Sequence, residues 1–126
     1  MSRIFLALGA VNAFLCVALG ALGSHGLKSV LTANMLANFQ IGVQYHFYHA
    51  IGLMLVGLTM ERLPQVRALK FSGMLMMAGI VLFSGTLYIV SLTGWRGMGI
   101  VAPLGGSSFM VGWLLLAYAV WKNKSA

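Results

Sequence analysis

The chain has 126 residues, of which 60% are hydrophobic and only 7% are charged. Its mean hydropathy is +0.94, and so few polar groups cannot cover a water-soluble globule of this size. The composition therefore predicts an integral membrane protein. Since a spanning helix needs about 20 apolar residues, four spans with short loops use up the chain and leave no room for a separate soluble domain.

Basic residues dominate the charge. The sequence contains eight Lys and Arg residues and one acidic residue, Glu61, which gives a net charge of +7. They are scattered between apolar runs and form no basic patch interleaved with aromatic side chains, so we expect no nucleic-acid partner. The excess of basic residues is better explained by membrane topology than by nucleic-acid binding.

The first apolar run covers residues 4–23 and follows Arg3. It is longer than the apolar region of a signal peptide, which is typically about 7–15 residues, so we expect an uncleaved spanning helix. Residues 27–39 then place apolar side chains at roughly helical spacing among polar ones. This pattern predicts a short interfacial helix between the first and second spans.

Three further spans are expected. The second runs from about 40 to 60 and ends at a polar segment that contains a proline. The third covers about 68–92 and is followed by a glycine-rich linker. Pro103 suits the first turn of a helix, so the fourth span is expected at about 103–121. The predicted fold is all-α, a four-transmembrane-helix bundle that forms a single membrane domain over residues 1–126.

The basic residues also predict an orientation. Six of them fall on the side of the two termini and two on the opposite side, and such a bias places both termini in the cytoplasm. The six are Arg3, Arg62, Arg67, Lys70, Lys122 and Lys124, and the two are Lys28 and Arg96.

The stretch QYHFYH, residues 44–49, interrupts the second span with polar side chains. At about 100° per residue, one helix face collects most of them together with two glycines, and His46 lies just outside that face. The members of the face are Gln44, Tyr45, Tyr48, His49, Gly42 and Gly52. Because unpaired polar groups are costly in lipid, we expect this face to turn into the bundle.

Partners for that face exist on the third span, where Ser84, Tyr88 and Ser91 recur at i, i+4 and i+7. We therefore predict a polar cluster in the half of the bundle away from the termini. Its candidate members are His25, Gln44, Tyr45, His49, Ser84 and Tyr88. Its simplest role is a hydrogen-bond network that fixes helix register, at about 0.6 kcal/mol per interhelical bond. A lipid headgroup or a quinone bound at its outer mouth is a further hypothesis.

Two other functions are open alternatives. A haem, metal or quinone site could use His25 and His49, but no carboxylate or cysteine completes a ligand set, so we predict no metal and no cofactor. An oligomeric small transporter or channel would lack the usual intramembrane Asp or Glu. Catalysis is not expected, because no acid is available to orient a histidine base.

Small residues recur on two spans. Cys16, Gly20 and Ser24 repeat every four residues on the first span, and residues 105–112 are rich in Gly and Ser on the fourth. They allow close backbone approach, either inside the bundle or between copies. The partners we expect are membrane lipids, with a homo-oligomer or another membrane complex as options.

Four segments carry a resemblance to a known family. They are GALGSHGLK at 20–28, IGVQYHFYHA at 41–50, LFSGTLY at 82–88 and APLGGSSFMVGW at 102–113. On these motifs the chain resembles the DUF423 or UPF0382 family of small bacterial inner-membrane proteins of unknown function.

The resemblance implies a four-helix protein of the bacterial inner membrane and no enzymatic activity. Some members of the family are associated with membrane stability and envelope homeostasis. Within the predicted cluster, the family positions are His25, Tyr45, His49, Ser84 and Tyr88. His46 departs from the family pattern, which weakens any function that requires it as a ligand.

Overall fold

The computed structural model describes residues 1–123, so Lys124, one of the six basic residues counted above, lies outside the described residues. The α-helices are α1 (Ser2–Ser24), α2 (Ala33–Arg62), α3 (Arg67–Gly79), α4 (Gly85–Thr93) and α5 (Ala102–Lys122). A π-helical turn, Ile80–Ser84, joins α3 to α4, and a 3-10 helix, Arg96–Val101, leads into α5.

Within residues 1–123, four helical stretches are long and apolar enough to cross a membrane. They are α1, α2, the continuous span from Arg67 to Thr93, and the stretch from Arg96 to Lys122. This confirms the predicted all-α fold with four transmembrane helices. Each of the four spans expected from sequence falls inside one of these helices.

The structure corrects one predicted element, the interfacial helix at residues 27–39. Residues 27–31 form turns, in which the Leu31 N–H donates to the Leu27 carbonyl at 2.9 Å. Thr32 then caps α2, because its backbone is extended and its hydroxyl accepts from the Met35 N–H at 3.2 Å. Residues 33–39 are therefore the first two turns of one 30-residue helix.

Spans that follow each other in the chain pack against each other. α1 packs along α2, α5 packs along α3, and α2 joins the two pairs through contacts with α3 and α4. A Cβ on Gly9 of α1 would lie 2.7 Å from the Ala50 carbonyl oxygen, and a Cβ on Gly105 of α5 would collide with the backbone of Phe83. Gly105, one of the small residues noted on the fourth span, therefore packs inside the bundle. Gly9 does the same on the first span, although it was not among the small residues noted there.

Buried apolar and buried polar side chains are concentrated at different depths of the bundle. The apolar core lies mainly in the half of the bundle near the termini, and it includes Phe5, Leu53, Val56, Met60, Leu69, Met76, Ile80, Phe109 and Ala119. Buried polar side chains are concentrated from the middle toward the opposite end, and they include Asn12, His46, His49, Ser84, Thr86 and Ser91. Exposed apolar side chains cover the outer surface of the helices, as contact with lipid requires.

The π-helical turn packs directly against α5. Gly105 meets the backbone of Leu82 and Phe83, with no side chain between the two helices. The ring of Phe83 lies between two other rings, with its centroid 4.9 Å from that of Tyr45 and 5.7 Å from that of Phe109. Single π turns within α-helices often mark functional sites.

Candidate functional site

The face of α2 that is buried differs from the predicted face. Taking Gln44 as zero, the prediction covered roughly 0° to 160°, whereas the buried residues of α2 cover roughly 80° to 240°. The helix is thus rotated by about 80° from the expected orientation. His46 is buried, while Gln44, Tyr45 and Tyr48 face outward.

His46 connects three spans. Its Nε2 lies 2.8 Å from Asn12 Oδ1 on α1, and its Nδ1 lies 2.9 Å from the Tyr88 hydroxyl on α4. The amide nitrogen of Asn12 donates to the Leu8 carbonyl at 2.7 Å, which assigns Oδ1 as the acceptor. In a neutral imidazole, His46 Nε2–H therefore donates to Asn12, and the Tyr88 hydroxyl donates to His46 Nδ1.

His49 points to a different neighbour and carries its proton on the other nitrogen. Its Nδ1–H donates to the Tyr45 carbonyl at 2.6 Å, and its Nε2 accepts from the Trp113 indole N–H at 2.9 Å. A carbonyl can only accept and an indole N–H can only donate, which fixes this tautomer. The His49 ring also stacks on Phe109, with centroids 3.4 Å apart, so it ties α2 to α5.

Serine hydroxyls add three further interhelical bonds. Ser84 donates to the Gly42 carbonyl at 2.8 Å, Ser72 to the Gly112 carbonyl at 2.6 Å, and Ser108 to the Leu75 carbonyl at 2.6 Å. Ser91 is fully buried, and its hydroxyl has no partner within residues 1–123. Most of the buried polar side chains thus hold helices together.

The structure divides the predicted cluster. Ser84 and Tyr88 contact α2, His49 contacts α5, and Gln44 donates to the Tyr48 hydroxyl on the outer surface. His25 is exposed in the turn after α1. Tyr45 stays beside His49, with ring centroids 6.4 Å apart. The six predicted side chains therefore do not all meet in one place, although Tyr45 and His49 do.

The alternative of a haem or metal held by His25 and His49 does not fit this geometry. A Cβ on Gly23 would lie 3.0 Å from the Phe39 ring, which places the end of α1 beside that part of α2. His49 lies ten residues further on, roughly 15 Å along the axis. Both of its ring nitrogens are also engaged. Within residues 1–123, no three His, Cys, Asp or Glu side chains come together.

An aromatic groove opens on the lipid-facing surface between α2 and α5. Its volume is about 720 Å³, and the π-helical turn lies along one side. We name it the aromatic groove after its ring side chains, which are Tyr45, Tyr48, His49, Phe83, Phe109 and Trp113. His49 is thus both a link between helices and part of the groove wall.

The sequence did not lead us to three residues that make contacts at this site, which are His46, Phe109 and Trp113. His46 was placed just outside the polar face, so its central position went unrecognised. Trp113 offered a usable signal, because an indole N–H at mid-span needs an acceptor and His49 is a neutral acceptor at similar depth. Phe109 gave no signal beyond its apolar character.

Similarity to known proteins is strong along nearly the whole chain. Residues 19–106 match the family described as "Protein of unknown function (DUF423)". The chain is also 44% identical over 120 residues to the UPF0382 membrane protein YwdK of Bacillus subtilis, which covers 95% of this chain and 98% of that protein. The chain belongs to the DUF423 family. This confirms the resemblance carried by the four sequence segments.

Other DUF423 relatives extend the comparison. A UPF0382 membrane protein of Haemophilus influenzae is 38% identical over 125 residues, covering 99% of both chains. The UPF0382 inner membrane protein YgdD of Escherichia coli is 35% identical over 115 residues, covering 91% of this chain and 87% of that one. No solved structure matches the chain. Family and structure together make this DUF423 member a multi-pass membrane protein.

Proposed function

We propose that this chain is a non-enzymatic structural or accessory protein of the bacterial inner membrane, with both termini in the cytoplasm, that supports membrane and envelope integrity. The proposal rests on one observation. His46 and His49 have all of their ring nitrogens engaged in hydrogen bonds to protein groups. The groups best suited to acid–base chemistry are therefore used to connect helices.

Other reactive groups support the same proposal. Ser72, Ser84 and Ser108 donate to backbone carbonyls of neighbouring helices, as a structural hydroxyl does. Glu61, the sole acidic residue, is exposed near the end of α2 and far along the chain from either intramembrane histidine. Membrane lipids are the expected partners, and association with a second copy or with another membrane complex is part of the proposal.

The proposed orientation gives a direct prediction. Arg3, Arg62, Arg67, Lys70 and Lys122 lie at the bundle end that carries the termini, so this end should face the cytoplasm. A fluorescent protein that folds only in the cytoplasm should glow when fused after Ala126, and alkaline phosphatase fused there should be inactive. Active phosphatase at that position would contradict the orientation.

A structural role also predicts how variants behave in a strain that lacks the gene. Restoration of resistance to membrane stress should follow the amount of folded protein across Tyr88→Phe, Ser84→Ala and His49→Gln, because each weakens a contact between helices. Gln44→Leu, at an exposed position, is the matched control and should restore resistance fully. Stress survival and the amount of folded protein in membranes are measured in parallel.

An enzyme would give a different pattern. Its catalytic group could be replaced without loss of fold, so one variant would accumulate normally and yet fail to restore resistance. Such a variant among those named would contradict the proposed function.

A further inference from the structure

The aromatic groove has the size and openness of a ligand site. Its volume of about 720 Å³ falls within the roughly 300–1,000 Å³ of typical small-molecule sites. Gly106 lines it, and a Cβ there would have no atom closer than Phe83 Cδ1 at 4.0 Å. The groove is thus an open space beside well-packed helices.

The walls of the groove are flat and held in place. His49 stacks on Phe109 with an angle of 11° between the rings, and Trp113 is oriented by its hydrogen bond to His49. Phe83 packs against Tyr45 on the side formed by the π-helical turn. Rigid aromatic walls favour a planar ring, since little side-chain entropy is lost when one binds.

The polar groups of the groove select among membrane molecules. None of the described residues that line it is charged, so a phosphate headgroup would find no cation there. Tyr45 has a hydroxyl without a hydrogen-bond partner in residues 1–123, and the Tyr48 hydroxyl accepts from Gln44 and keeps its own proton to donate. Two neutral donors beside aromatic walls suit a ring that carries carbonyl oxygens.

From these features we propose that the aromatic groove binds a membrane quinone. The ring lies among the aromatic side chains, its carbonyl oxygens accept from Tyr45 and Tyr48, and its isoprenoid tail extends into lipid. The site is a binding site, and no electron transfer is part of the inference. It stands independently of the proposed function, because a structural protein can also bind a lipid-soluble ring.

Tryptophan fluorescence gives the test. Trp95 and Trp121 are exposed, and replacing both by Phe leaves Trp113 as the single reporter in the full chain. In liposomes, a short-chain ubiquinone should quench Trp113 saturably. Geranylgeraniol, which offers an isoprenoid tail without the ring, should not displace it.

Groove variants give the matched comparison. In the Trp113 reporter, Gly106→Leu fills the groove and should weaken saturable quenching at least ten-fold. Gly99 lies outside the groove, and an added Cβ there would meet no atom within 4 Å. Gly99→Leu should therefore leave the saturable quenching unchanged. Tyr45→Phe and Tyr48→Phe should each weaken binding about three- to ten-fold, the loss expected for one hydrogen bond. The tyrosine variants keep the test valid if Gly106→Leu does not fold.

Three outcomes would overturn the inference. Quenching that rises without saturation and is equal in the reporter and Gly106→Leu would mean that quinone merely dissolves in the bilayer. Displacement of the quinone by geranylgeraniol would mean that the groove takes an apolar chain. Unchanged binding in both tyrosine variants would remove the proposed role of their hydroxyls and with it the preference for a quinone.

Discussion

Replacing Gly105 by Val is expected to lower the free energy of unfolding by about 3 kcal/mol, the upper part of the range for overpacking. Gly105 of α5 faces the backbone of the π-helical turn, and an added Cβ would collide with Phe83 N and lie 2.7 Å from Phe83 Cβ. Backbone atoms cannot move aside as a flexible side chain can. α5 would have to withdraw along its whole length, which would weaken the Ser108 and Trp113 bonds as well.

The adjacent residue supplies the control. Gly106, like Gly105, is a glycine of α5 at a similar depth, but an added Cβ there would meet only Phe83 Cδ1, at 4.0 Å. Gly106→Val should therefore change the free energy of unfolding by less than about 0.5 kcal/mol. Unfolding by SDS in mixed micelles measures both variants, followed by Trp113 fluorescence in the chain in which Trp95 and Trp121 are replaced by Phe. Equal destabilisation by the two would contradict the close approach of α5 to the π-helical turn.

Replacing His46 by Leu is expected to cost about 2 kcal/mol, within the range for leaving buried polar groups unpaired. The substitution leaves Asn12 Oδ1 and the Tyr88 hydroxyl without partners in the bundle interior. This exceeds the average of about 0.6 kcal/mol for one interhelical bond in a membrane, because two bonds and both partners are affected. The same SDS titration measures the loss.

Two companion variants separate pairing from packing. Gln44→Leu, two residues earlier but exposed, should be nearly neutral. The double variant His46→Leu with Asn12→Leu should be less destabilised than the sum of the single variants, since it removes both ends of one hydrogen bond. Additive losses would show that His46 and Asn12 do not interact.

Hydropathy and length were sufficient to predict the four spans. Each apolar run is about long enough to cross a bilayer, and few charges interrupt it. The start of α2 was missed because Asn34, Asn38 and Gln40 dilute the apolar signal there. Thr32 was the available sign, since its hydroxyl caps the helix at the Met35 N–H.

The orientation of α2 was misjudged for a physical reason. The prediction assumed that every polar side chain at this depth must turn inward. Gln44 and Tyr48 instead satisfy each other at i and i+4 on the outer surface. Two polar residues are thereby accommodated at the lipid-facing surface, and the inward side is left to His46, His49 and the glycines.

The π-helical turn and the aromatic groove could not be read from sequence. The segment Ile80–Ser84 is apolar and resembles any other part of a spanning helix. The turn forms where Gly105 on a distant part of the chain packs against it. The groove likewise depends on the packing of α5 against α3 and the π-helical turn, which no local pattern specifies.

The two intramembrane histidines are fixed by separate bonds to protein groups, His46 to α1 and α4, and His49 to α5 and its own helix. Solid-state NMR of 15N-histidine-labelled protein in bilayers can detect these bonds, with His25→Asn removing the signal of the exposed third histidine and His49→Gln assigning the other two rings. We expect two neutral rings of opposite tautomer at neutral pH, protonated on Nε2 in His46 and on Nδ1 in His49. Identical tautomers, or a ring that exchanges between tautomers, would contradict this expectation.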